Sequence, residues 1–145
     1  MSPQKTAGLM RIIGWISIVT AALFAWGSVY DPGGANDLFI SYASSGDAGI
    51  AGIATQEAKL ALAIAGGVFG GLSAFYLFIS APGIEQGNAL IKRGTIYAFL
   101  TWFVIDSSAS MGTGNGFNVV INIAILAIYL APVLLVRDEP SVQTA

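Results

Sequence analysis

Residues 58–81 read AKLALAIAGGVFGGLSAFYLFISA, a run with no charge after Lys59. At ~1.5 Å per helical residue it is long enough for a hydrocarbon core of ~30 Å. Such a run belongs to a membrane helix or to the centre of a large soluble core, and the rest of the chain decides between them. Of 145 residues, 10% are charged and 55% hydrophobic, with a mean hydropathy of +0.74. Ordinary globular domains carry ~25% charged residues. A small soluble domain has a large surface to cover, and six basic plus eight acidic side chains cannot cover it. The sequence therefore predicts an all-α integral membrane protein, residues 1–145 forming one membrane domain.

Outward from this run, residues 8–30, 88–110 and 117–136 are three more apolar stretches of spanning length. The expectation is a four-transmembrane-helix bundle with one long outer loop, 31–56. Pro82 is expected to stop the second span, and Pro132 to bend the fourth mildly. Lys5, Arg11, Lys92, Arg93 and Arg137 would share one side, and the other side has Lys59 with Asp31, Asp37, Asp47 and Glu57. By the positive-inside rule both termini and the middle loop are cytoplasmic, in a multi-pass protein of the plasma (inner) membrane. Trp26 and Tyr30 suit an interfacial aromatic belt. The first apolar stretch is longer than the apolar segment of a cleaved signal peptide, so an uncleaved anchor is expected. Loop 31–56 is rich in Gly, Ala and Ser, with an apolar island at Leu38–Tyr42 that either lies on the outer leaflet or caps the bundle. The tail from Asp138 reads as solvated.

Composition also removes much chemistry. With no cysteine and no histidine, thiolate metal sites, disulfides, Ser–His catalysis and His-ligated haem are excluded. Six basic residues leave no surface for nucleic acid. The turn Gly112–Gly116 has no following lysine and is no phosphate loop. Trp15, Phe75, Tyr76, Phe78, Tyr97, Trp102 and Tyr129 read as packing or lipid contacts rather than a pigment or quinone box. No cofactor, metal or catalytic residue is expected, and the chain is not read as an enzyme.

Two constellations remain. Gly66, Gly67, Gly70 and Gly71 make two overlapping G-x-x-x-G patterns on adjacent faces of the second span. Lipid offers no hydrophobic drive for helix association, so close approach depends on small residues. These glycines serve either a partner or second copy, or packing within the chain. The second constellation centres on Asp106, 13 residues beyond Arg93 and so roughly 20 Å along a helix. An ionisable group at that depth is expensive and faces the interior of a bundle. Asn115, Asn118 and Asn122 share one face of the fourth span, with Asn122 at a comparable depth. A polar cluster of Asp106, Ser110, Asn118 and Asn122 is expected. It would be a proton or cation site, an interhelical lock, or a helix end with Asn115 or Asn118 capping the next helix. Lys59 is a poor counter-ion, because its side chain leans to the aqueous edge. Gln86 and Asn88 read as turn and cap residues, and Glu85 as solvated.

The small size, scant extramembrane mass and glycine face favour a structural or accessory subunit. Such a subunit assembles or stabilises a larger membrane complex, its partners being the lipid bilayer and another integral membrane protein or itself. The alternative is a small oligomeric transporter or channel using Asp106.

Overall fold

The computed structural model describes residues 1–31, 34–44 and 55–136, and among them there is no strand. Four long helices and one short one account for most of this chain. Helix α1 is Pro3–Gly27, α2 is Ala35–Ala43, α3 is Gln56–Glu85, α4 is Ala89–Gly112 and α5 is Gly116–Leu135. Their ends follow local chemistry. The Thr55 hydroxyl accepts from the Ala58 amide at 3.2 Å, and Asn88 Oδ1 accepts from the Leu90 and Ile91 amides at 3.0 and 3.1 Å. Both satisfy donors that a helix start leaves open. Gly87 (φ 68°) and Gly114 (φ 81°) make the tight turns on either side of α4, in the left-handed region that disfavours a side chain.

Three helices, Pro3–Gly27, Gln56–Glu85 and Gly116–Leu135, are long and apolar enough to cross a membrane. Helix α4, the expected third span, has 24 residues but carries Lys92, Arg93, Asp106 and a polar stretch after it. It is not among the three.

Pro82 does not end α3. Proline lacks an amide donor, and its ring clashes with the carbonyl four residues back, here Phe78. The helix accommodates it by widening into a π-helical stretch, Tyr76–Ser80, after which the Ala81 amide donates to the Tyr76 carbonyl. The α-register then resumes over Ala81–Glu85. This turn directs Tyr76, Leu77 and Ser80 into the interior.

The apolar island Leu38–Tyr42 is part of α2. Asp31 Oδ2 accepts from the Asn36 and Asp37 amides at 2.9 and 3.2 Å, fixing the start of that helix. Phe39 meets Phe24 edge-on, with ring centroids 5.0 Å apart. The buried Asn36 amide occupies the space a side chain at position 27 would need, so Gly27 makes this docking possible. Helix α2 also packs on α5. Asp47, Arg137 and the tail from Asp138 lie outside the described residues.

Helices α1 and α3 pack along each other, as do α4 and α5. The two pairs join at the end carrying Gln86, where Met10, Tyr76, Ile84, Phe99, Tyr129 and Val133 form the buried apolar core. Close approach of α3 to α4 is concentrated in the stretch Tyr76–Glu85. At the same end Arg11 Nη2 donates to Glu85 Oε2, so Glu85, read from sequence as solvated, is bound to α1. Outward faces are apolar on every long helix, with Ile16, Leu23, Ile64, Val68, Val104, Ile105, Val120 and Ile128 exposed.

The α1–α3 contact depends on Gly66. A Cβ there would stand 2.7 Å from the Ala25 backbone nitrogen, and the backbone cannot yield as a flexible side chain can. Gly66→Ala is therefore expected to destabilise by about 1–3 kcal/mol, the usual cost of overpacking. Gly67→Ala, whose Cβ would meet nothing within 4 Å, should leave stability unchanged or raised. Thermal unfolding of the two variants in the same lipid or detergent checks the contrast.

Candidate functional site: a polar seam beside an unpaired carboxylate

Beyond the apolar core, α4 and α5 are held together by polar pairs. Asn118 Nδ2 donates to Ser110 Oγ at 2.8 Å, and Asn122 Nδ2 donates to Ser107 Oγ at 3.2 Å. Asn122 is 2% exposed, and Ser107 and Ser110 are each 8% exposed. The register follows from antiparallel packing. Ser107 and Ser110 are one turn apart on α4, and Asn122 and Asn118 are one turn apart on α5 in the opposite direction. Ser107 is the member that the sequence-based cluster omits. It stands three residues before Ser110, as the two asparagines stand four apart, so each pair lies one turn apart on one helix face, and this is the signal that identifies it.

Asp106 is not in this seam. Helix α4 continues six residues past it to Gly112, so it does not mark a helix end. The position is ~100° around the helix from Ser107, half-buried, and its carboxylate makes no hydrogen bond or ion pair among the described residues. The expected grouping of Asp106 with Asn118 and Asn122 is thus corrected: the amides bond to serine hydroxyls, and the carboxylate stands beside the pairs. Lys59 does not approach it as a salt-bridge partner. Asn115 supplies no side-chain cap to α5, and its amide instead donates to Thr113 Oγ1 at 3.0 Å.

A second polar set ties α3 to its neighbours. The Tyr76 hydroxyl donates to the Tyr129 carbonyl at 2.7 Å, and the Tyr129 hydroxyl lies 3.0 Å from Ser73 Oγ. Pro132 removes the amide that would bond to the Ile128 carbonyl and loosens α5 there. In lipid, backbone groups freed in this way are satisfied by neighbouring helices, and Tyr76 reaches the next carbonyl along. Thr95 Oγ1 lies 2.8 Å from Ser80 Oγ, joining α4 to the π-helical stretch. The rings of Phe99 and Tyr129 stack with centroids 4.4 Å apart, and Tyr76 meets both edge-on. Sequence reading assigns Tyr76 and Tyr129 to packing but misses their hydroxyl contacts. Tyr76 belongs to the π-helical stretch, which periodicity does not foresee.

The four glycines of α3 divide between two surfaces. A Cβ at Gly66 would collide with Ala25, and one at Gly70 would touch Ala21 at 3.6 Å; at Gly67 and Gly71 nothing lies within 4 Å. Alongside runs a shallow apolar groove between α1 and α3, lined by Ala22, Ala25, Gly67 and Gly70 and bounded by Trp15 and Phe78. Those two rings meet edge-on at 5.9 Å.

The seam consists of neutral amides and hydroxyls in matched pairs, an arrangement suited to fixing helices against each other. No family model, no curated protein and no solved structure matches this chain.

A double-mutant cycle on Asn122→Ala and Ser107→Ala should return a coupling of about 0.6 kcal/mol, with ~1.7 as the upper end for such bonds in a membrane bundle. Unfolding in bilayer-like lipid measures it, and a coupling near zero would mean that this pair adds nothing to the joining of α4 and α5.

Proposed function

We propose that this chain is a four-span protein of the plasma (inner) membrane with both termini cytoplasmic, and that it is a structural subunit assembling or stabilising a larger membrane complex. Reading α4 as a fourth span rests on its outward face. Tyr97, Leu100, Val104 and Ile105 are exposed between the basic start of the helix and its polar end. Lys92 and Arg93 belong to the same end of the molecule as Arg11, and Asp31, Asp37 and Glu57 to the other. That division suits the positive-inside rule.

The observation carrying the assembly reading is the division of the glycines. Gly66 and Gly70 are occupied by α1, which accounts for one of the two G-x-x-x-G patterns without any partner. Gly67 and Gly71 form the other, and nothing within the described chain covers them. A transmembrane helix seated there could bring its backbone close, the geometry that small residues permit in lipid. A Cβ at either of these two positions would meet nothing within 4 Å, so comparing the variant's own melting with its assembly separates association from folding.

Gly67→Leu combined with Gly71→Leu should leave the melting profile of the isolated subunit close to that of the parent. The same variant should be missing from the complex that the parent forms, as read by native mass spectrometry after gentle extraction from its own membranes. Retention in the complex at parental stoichiometry would refute the glycine face as the docking surface. Recovery of the parent itself as a lone monomer would refute the subunit role.

A further inference from the structure

Asp106 lies on the inward strip of α4. It is seven residues beyond Phe99, two turns along the helix and within ~20° of the same direction. Phe99 is wholly buried between Tyr76 of α3 and Tyr129 of α5. Ser110, four residues beyond Asp106, is buried against α5 through Asn118. Between these two buried positions Asp106 is half-exposed and unpaired. The cause is the course of α3, whose close approach to α4 is concentrated in Tyr76–Glu85, level with Phe99 and below Asp106.

The described chain brings no cation to this carboxylate. Arg11 is engaged by Glu85 at the opposite end of the core, and Arg93 precedes Asp106 by 13 residues, roughly 20 Å of helix. Lys59 lies in the first turn of α3 and makes no salt bridge among the described residues. A carboxylate among apolar helices attracts a counter-charge strongly, because little solvent screens it.

The surroundings select the kind of cation. A hard metal ion asks for about six or more oxygen ligands, and no group of three His, Cys, Asp or Glu side chains converges among the described residues. The Ser107 and Ser110 hydroxyls accept from Asn122 and Asn118. An ammonium ion needs less: one carboxylate and an aromatic face within ~6 Å. Trp102 stands one turn before Asp106 on the same strip and packs, partly buried, against the core. Residues four apart are neighbours on a helix surface, so the carboxylate and the indole share one patch of α4.

We propose that Asp106 and Trp102 form a binding site for a small organic ammonium ion. This site goes beyond the assembly role and does not depend on it, since the free glycine face belongs to α3 and the carboxylate to the inward strip of α4.

Trp102 supplies its own reporter. In a Trp15→Phe, Trp26→Phe variant, Trp102 is the one remaining tryptophan. Titrating that protein in lipid nanodiscs with methylammonium and tetramethylammonium, at constant ionic strength, should give a saturable change in emission for at least one of them. Asp106→Asn should weaken it by roughly tenfold or more, Asp106→Glu should retain it, and sodium or magnesium should not reproduce it. A flat titration with both ammonium ions, an unchanged one in Asp106→Asn, or an equal response to sodium would overturn the proposal. In the unaltered chain, the effective ammonium ion should also slow modification of Asp106 by an apolar carbodiimide, read by peptide mass spectrometry. Undiminished labelling would overturn the site without relying on any variant.

Discussion

Tyr129 joins three helices by three different contacts, and the arrangement of the molecule follows from where it sits. Its hydroxyl meets Ser73, its carbonyl accepts the Tyr76 hydroxyl, and its ring stacks on Phe99. The Tyr76 contact coincides with two local departures from regular helix. Tyr76 is directed inward by the π-helical stretch that Pro82 forces on α3, and Pro132 loosens α5 just beyond the Tyr129 carbonyl. Lipid is as apolar as leucine, so helices there are joined by close packing and by polar contacts rather than by exclusion from solvent. One tyrosine supplies both. The apolar core gathers around it at the Gln86 end, and the other end of the α4–α5 pair is held by Asn–Ser bonds.

This division of labour explains why Asp106 stays apart. The Asn–Ser pairs use the strip of α4 that faces α5, and Phe99 uses the strip that faces the junction with α3. Asp106 shares the direction of Phe99 but lies beyond the stretch where α3 comes close. Neutral pairs hold the helices, and the charged group is left available.

The helical nature of the chain was legible in its apolar runs, because each is long enough to span and too sparsely charged for a soluble surface. Gly66, Gly67, Gly70 and Gly71 were legible as two faces, but which face α1 would occupy was not. That depends on Ala21 and Ala25 lying opposite, a tertiary fact. Pro82 misled because the rule that proline ends a helix assumes an α-register, and a π-turn evades it. Asp106 misled for a related reason: depth along a helix can be counted from Arg93, whereas which side chains of the neighbouring helix reach a given position is a tertiary fact. Glu85 is still partly exposed, but its ion pair was not legible because its partner, Arg11, is 74 residues away in the sequence.

Helix α4, the third of the four long helices and the most polar of them, is the one whose place decides the proposed topology. Because the chain has no cysteine, single cysteines at Gln4, Glu57, Gln86 and Thr113 give a direct reading of topology with a membrane-impermeant maleimide in intact cells. Four spans with cytoplasmic termini predict labelling at Glu57 and Thr113 before permeabilisation, and at Gln4 and Gln86 only after it. Labelling of Gln86 and Thr113 from the same side would contradict a transmembrane α4.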